Sequence, residues 1–315
     1  MQKINKTNTQ MKKIILLALM ALTLILTLTG CNGIKQNEKM TVENTTYPLE
    51  FTDGYGDIST ITKEPQRIIS LSPNITEVLC SIGLESKIVG RTDYCDYPET
   101  IASVESVGQL TTPNTEKIIE LQPDVIITDG MQDKEFVVNL RNLGITVICL
   151  RQNQTIEGTY EILNNAGLIT NTNQKSAELV ENMKTEIQKI EGKVKNVDKK
   201  TVFYAVDFGD YGIYTAGAGT YIDELFTKCG LDNIAKDSEG WTYSLEKLYE
   251  NDPDIIICSK FYGTKDNLMS YAPFKDLKAI KNGNIVEIDN NQIDRQTARN
   301  VDAMKELVEK IYDKK

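Results

Sequence analysis

The chain has 315 residues, 35 Lys and Arg against 45 Asp and Glu, and a formal net charge of −10. That acidic balance argues against nucleic acid and anionic headgroups as partners. It contains no histidine, which excludes a Ser-His-Asp triad, a Cys-His dyad and His-ligated zinc.

The chain opens with a targeting signal. Lys12 and Lys13 precede an apolar run from Ile14 to about Leu28, which ends in Leu28-Thr29-Gly30-Cys31. A basic start, a short apolar stretch and small residues before the cut define a secretory signal over residues 1–30. The run falls short of the ~20 apolar residues of a spanning helix, an uncleaved anchor being the alternative, and Met11 is an alternative start. Leu-Thr-Gly-Cys is similar to the bacterial lipobox, which implies lipid on Cys31 and a body held outside the cytoplasmic membrane. Cleavage removes Lys3, Lys6, Lys12 and Lys13 and no acid, leaving 285 residues at −14, enough for two lobes with their own cores. The five other cysteines, Cys80, Cys95, Cys149, Cys229 and Cys258, have no metal-ligand spacing. Cys149 and Cys258 read as small core residues in strands; one disulfide among the five is possible.

Residues 31–65 read as a tether followed by a short hairpin: 32–46 are polar and aperiodic, and 47–62 alternate weakly around Gly54 and Gly56. An N-terminal α/β lobe is expected over 66–170. It holds a strand at 67–72, a helix capped by Asn74, a strand at 87–90, a capped helix and strand 124–128, then helix 134–143 and strand 145–150. Over 171–196, Leu179, Val180, Met183, Ile187, Ile190 and Val194 form one apolar stripe, with Glu186/Lys189 and Glu191/Lys195 as supporting pairs. This segment reads as a single rigid linking helix, which implies limited hinge motion. A C-terminal α/β lobe over 197–315 restarts with strand 201–206 and the turn-rich run 207–212. Helix 221–229, strands 254–258 and 285–288, and helix 298–312 follow. Ala216-Gly-Ala-Gly-Thr220 lacks the Lys-Ser/Thr of a phosphate loop.

One stretch occurs twice. Residues 116–127, Glu-Lys-Ile-Ile-Glu-Leu-Gln-Pro-Asp-Val-Ile-Ile, and 246–257, Glu-Lys-Leu-Tyr-Glu-Asn-Asp-Pro-Asp-Ile-Ile-Ile, agree at seven of twelve positions with an offset of 130. Each follows a helix cap, Asn114 or Ser244. The fold class is therefore α/β: two similar lobes with parallel-rich central sheets flanked by helices, joined by one long helix, with a ligand cleft between them.

Arg67-Ile-Ile-Ser-Leu-Ser-Pro-Asn-Ile-Thr-Glu77, both Pro-Asp units and Lys281-Asn-Gly-Asn-Ile-Val-Glu-Ile288 resemble the substrate-binding proteins of ABC importers for cobalamin and iron-siderophores. The resemblance runs from about residue 47 to the end. Thr92-Asp-Tyr-Cys-Asp-Tyr-Pro98 is similar to the cobalamin-binding members. The resemblance implies a monomeric, lipid-anchored binding protein that does no chemistry and delivers its ligand to a permease dimer with its ATPase. It also implies that Glu116 and Glu246 dock on that permease.

For a corrinoid, the resemblance and the need for flat apolar walls point to Tyr94, Tyr97, Phe208, Tyr211 and Trp241, the single tryptophan. Asn291 falls near an acidic contact position of the family, and Leu110 stands where a cobalamin binder carries tryptophan. A ferric siderophore is the alternative ligand, held by an arginine among Arg91, Arg151, Arg295 and Arg299, Arg295 foremost; haem is a further one through tyrosine. A lipid-anchored hydrolase using Glu77, Asp93, Asp96 or Asp207 is the remote alternative.

Overall fold

The computed structural model describes residues 42–313, Gln152 excepted. The signal peptide, Cys31 and the tether up to residue 41 lie outside the described residues.

Strands β1 (Leu49–Thr52) and β2 (Ile58–Ile61) form the expected antiparallel hairpin. Two four-stranded parallel sheets follow. The first takes β3 (Ile68–Ser70), β4 (Ile88–Arg91), β5 (Val125–Thr128) and β6 (Val147–Cys149) in the order β4-β3-β5-β6. The second takes β7 (Lys200–Ala205), β10 (Leu231–Asn233), β12 (Ile255–Ser259) and β13 (Ile285–Ile288) in the order β10-β7-β12-β13. The first strand of each lobe thus sits second, and the strand of each repeat copy sits third. Central strands such as β5 are buried along their whole length, which is why they read as unbroken apolar runs rather than alternations. A small antiparallel sheet, β11-β9-β8, joins β8 (Asp207–Gly209), β9 (Gly212–Tyr214) and β11 (Thr242–Tyr243). The turn-rich run 207–212 is therefore a tight hairpin, with Asp210 and Tyr211 at its tip.

The helices are α1 (Pro73–Ser81), α2 (Thr115–Glu120), α3 (Lys134–Asn142), α4 (Ile156–Thr170), α5 (Asn173–Val194), α6 (Tyr221–Lys228), α7 (Leu245–Asn251), α8 (Thr264–Ser270), α9 (Lys278–Lys281), α10 (Asn291–Asp294) and α11 (Asn300–Tyr312). Helix α1 starts two residues earlier than an Asn74 cap implies. Its cap is Ser72, with Pro73 in the first turn, where a missing N–H costs nothing. The linking segment is α5, 22 residues or about 33 Å long. Its stripe of Val180, Met183, Ile187, Ile190 and Val194 is buried. Of its two expected pairs, Glu186–Lys189 forms at 2.6 Å, while Glu191 instead reaches Lys228 of α6 at 3.0 Å, because a neighbouring helix offers a less exposed cation than the helix's own face. One core runs from β3 and β5 through α4, α5 and α11 to β7 and β12, so both lobes share a packed helical layer.

Helix α4 is not anticipated by the sequence reading. The start of the described chain is also less free than a tether: Thr45 donates to Asn171 Oδ1 (2.8 Å) and the Leu168 carbonyl (2.7 Å), and Tyr47 Oη to the Ile169 carbonyl (2.8 Å). These contacts strap residues 42–47 across the α4–α5 junction. The cysteines Cys80, Cys95, Cys149, Cys229 and Cys258 are all free thiols.

The two repeat copies agree in detail. Asn114 accepts from Lys117 N–H and Ser244 from Lys247 N–H. Gln122 and Asp252, 130 residues apart, both take positive φ, +45 and +35. Asp124 then accepts from the N–H groups of Gln66 and Arg67, and Asp254 from the N–H and hydroxyl of Thr201. Each Pro-Asp carboxylate therefore anchors the entry to the first strand of its own sheet.

The β1–β2 hairpin is held by Asp53, whose side chain is fully buried. It accepts from the N–H groups of Tyr55, Asp57 and Cys149 and pairs with Arg141 at 2.6 Å. Asp53→Ala leaves those donors orphaned and should cost about 3 kcal/mol. Urea unfolding measures it, and a loss below about 1 kcal/mol would mean that water replaces the carboxylate.

Candidate functional site

The carboxyl ends of parallel strands leave unsatisfied backbone groups and variable loops, and ligands collect there. Here those ends frame a cavity of 280 Å³. Pro73 and Asn74 after β3, Asp129 and Met131 after β5, Leu150, Arg151 and Gln154 after β6, and Asp294, Arg295 and Gln296 after β13 line it, with Leu110 and Tyr221. The lining thus comes from both lobes.

Its floor is polar and largely held in place. Gln296 bridges the lobes, accepting from Gln154 Nε2 (3.0 Å) and donating to the Asn153 and Thr155 carbonyls (3.1 Å each). Asp294 accepts from Tyr204 Oη (2.6 Å) and Asn290 Nδ2 (2.8 Å). Burial pushes the Asp129 carboxyl above its ordinary value, although Met131 N–H donates to it. The Leu110 carbonyl accepts from Gln132, which also donates to Leu71.

A buried ion-pair group closes one side. Glu77 on α1 is 3 % exposed. Its Oε1 meets Arg295 Nη1 at 2.6 Å and Arg299 Nη1 at 3.2 Å, and Arg295 also meets Asp96 at 2.6 Å. Burial raises the Glu77 carboxyl, outweighing both arginines. The Arg299 guanidinium lies 3.8 Å over the Tyr97 ring, and Asn291 Nδ2 reaches Asp96 Oδ2 at 3.5 Å. Tyr97, Asn291 and Arg295 are thus brought together, and Leu110 and Arg295 share the cavity. Tyr94 is exposed on the same loop as Tyr97, its hydroxyl 3.2 Å from Gln109.

None of the five aromatic candidates lines this cavity. Phe208, Tyr211 and Trp241 stand on the small β11-β9-β8 sheet of the C-terminal lobe. Phe208 packs on Tyr271 and Phe274 at 5.3 and 5.5 Å, Tyr211 is exposed at the hairpin tip, and Trp241 is half-exposed before β11. Of the four arginines, Arg91 serves the carbonyls of Thr92, Ile101 and Ala102, and Arg295 and Arg299 are committed to carboxylates. Among the described residues Arg151 has no ion-pair partner, so the available cation is Arg151 rather than Arg295. The four carboxylates of the hydrolase alternative do not converge: Glu77 and Asp96 share Arg295, Asp93 is held by Ser106 (2.5 Å), and Asp207 accepts from the Phe208 N–H (2.9 Å).

The sequence profile described as periplasmic binding protein matches residues 68–292. An uncharacterized ABC transporter substrate-binding lipoprotein of Bacillus subtilis is 30 % identical over 299 residues, covering 90 % of this chain and 93 % of its own. A solved vitamin B12-binding protein of Vibrio cholerae is 26 % identical with a TM-score of 0.67, covering 78 % of this chain and 96 % of that one. A possible iron-binding periplasmic solute-binding protein of Staphylococcus epidermidis is 28 % identical with a TM-score of 0.70, covering 79 % and 100 %.

Proposed function

This chain belongs to the periplasmic binding protein family and is a substrate-binding protein of an ABC importer of the vitamin B12, haem and siderophore class; we propose that its ligand is a corrinoid held between the lobes. Proteins of this family are extracytoplasmic binding components that work with a permease and an ATPase, and are not enzymes. We further place lipid on Cys31, a monomer at the membrane face, the lobe boundaries at 66–170 and 197–315, and permease docking on Glu116 and Glu246.

The observation that carries the ligand assignment is a set of exposed aromatics on strand-end loops of both lobes. Tyr94 and Tyr97 come from one, Tyr211 and Trp241 from the other. Four rings left in water on three loops suit a broad, flat, amide-fringed partner. The cavity's 280 Å³ falls below the ~300–1,000 Å³ usual for drug-sized ligands. A corrinoid therefore lies across the mouth, with a peripheral amide arm entering the polar floor. The vitamin B12-binding relative supports this choice.

Titration of the purified chain with cyanocobalamin, followed by quenching of Trp241, tests it. Saturable quenching at micromolar ligand or below is expected, and it disappears in Trp241→Phe while calorimetry still reports binding. Absence of calorimetric binding to cobalamin and to cobinamide, its precursor without the lower ligand, would sink the corrinoid. The second reading is a ferric siderophore, favoured by one observation: Arg151 lines the cavity without an ion-pair partner among the described residues. Arg151→Ala is then the first variant to titrate.

A further inference from the structure

The two repeat copies stay in register past their strands. At the offset of 130, Met131 matches Phe261 and Gln132 matches Tyr262. Met131 is exposed and lines the cavity; Gln132 is buried, donating to the Leu71 and Leu110 carbonyls. The C-terminal lobe does the opposite at the second position. Tyr262 is 95 % exposed and holds φ at +57, the left-handed region that a tyrosine enters only at a cost. A strained backbone that leaves a large ring in water contributes nothing to packing, and such residues gather at binding sites.

The turn is nevertheless fixed. Phe261 N–H donates to Ser259 Oγ (3.1 Å), which donates to Asn290 Oδ1 (2.8 Å). Lys260 pairs with Asp289 (3.2 Å) and lies 5.1 Å over the Phe261 ring. Asn290 also donates to Asp294, which lines the cavity, and adjoins Asn291, which reaches Asp96 in the other lobe. The turn after β12 is therefore tied to the segment that forms the cleft.

We propose that Tyr262 is a specificity-determining ligand contact, its ring covering the bound macrocycle from the C-terminal lobe while Met131 lines the cavity from the N-terminal one. This rests on the corrinoid reading above. Calorimetry on the full chain in detergent, with cyanocobalamin as probe, tests it. Tyr262→Ala should weaken binding roughly tenfold, and Tyr262→Phe should stay within about twofold, because the ring face and not the hydroxyl makes the contact. Tyr262→Gly, which suits the positive φ, should weaken binding like Ala while melting no lower than the parent. Unchanged affinity in both Ala and Gly overturns the proposal and leaves the corrinoid reading standing. Unchanged affinity with reduced uptake overturns it in favour of a permease contact. If the parent chain takes haemin or a ferric siderophore in place of cobalamin, the corrinoid reading fails alone, and weaker binding of that ligand by Ala and Gly still supports the contact.

Discussion

Arg295→Ala should lower stability by about 3 kcal/mol at neutral pH, and the deficit should shrink in acid. The arginine joins the segment after β13 to Glu77 on α1, across the lobes. Without it Glu77 keeps, among the described residues, only Arg299 at 3.2 Å, and its Oε2 already lacks a hydrogen-bond partner among them. A buried carboxylate that loses the closer of its two cations is among the costlier single changes in a protein. The Asp96 arm of the same arginine adds little, because Asp96 is half-exposed and such pairs contribute about 0–1 kcal/mol. The pH dependence follows from the direction of the shift. Burial holds the folded Glu77 carboxyl above its ordinary value. A raised acid contributes its stability below the unfolded value and loses it as pH climbs through the folded one. Removing Arg295 lifts the folded value further, so the loss on ionisation grows. Urea unfolding of parent and variant at about pH 4 and about pH 7.5 should give a small difference in the first and the full deficit in the second. A deficit equal at both would assign the effect to packing of the arginine stem.

The repeat was legible because every part of it is local: a cap, one helical turn, Pro-Asp, and an apolar strand whose neighbours bury both faces. Helix α4 was not legible. Gly158, Asn164, Asn165 and Gly167 depress its propensity, and the reason for Gly167 lies in another helix, since a Cβ there would meet Ser176 Oγ of α5 at 2.2 Å. The same holds for the site. Aromatics in loops can be read from sequence, whereas the Glu77–Arg295 pair joins residues 218 apart and has no local pattern. Asp129 and Arg151 had a usable signal, standing one and two residues after buried strands of a parallel sheet, at the end where ligands collect.

Reversing both acids of the repeat, Glu116→Arg with Glu246→Arg, should reduce uptake on the order of 100-fold or more while cobalamin affinity stays within about twofold. The two positions are matched beyond sequence. Over 111–120 and 241–250 the pattern of buried, half-buried and exposed residues is identical, position by position. Both acids are exposed in the first turn of their helices, α2 and α7, and neither has an ion-pair partner among the described residues. One turn on, Ile119 and Tyr249 are exposed at matched positions, so each lobe presents an acid beside an apolar residue on one helix face. Two such patches related by the repeat suit a permease with two-fold symmetry. The helix dipole alone accounts for a first-turn acid at about 0.3–1 kcal/mol, so a purely structural role predicts a slightly lower melting point and unchanged uptake. A docking role predicts like charges set against the permease at two places, each costing several kcal/mol. Vesicles carrying the permease and its ATPase, supplied with parent or variant protein, separate the two, and uptake retained by the double variant would remove the docking assignment. The single reversals add a further check: unequal losses would mean that one lobe carries most of the contact, equal ones that the patches engage alike.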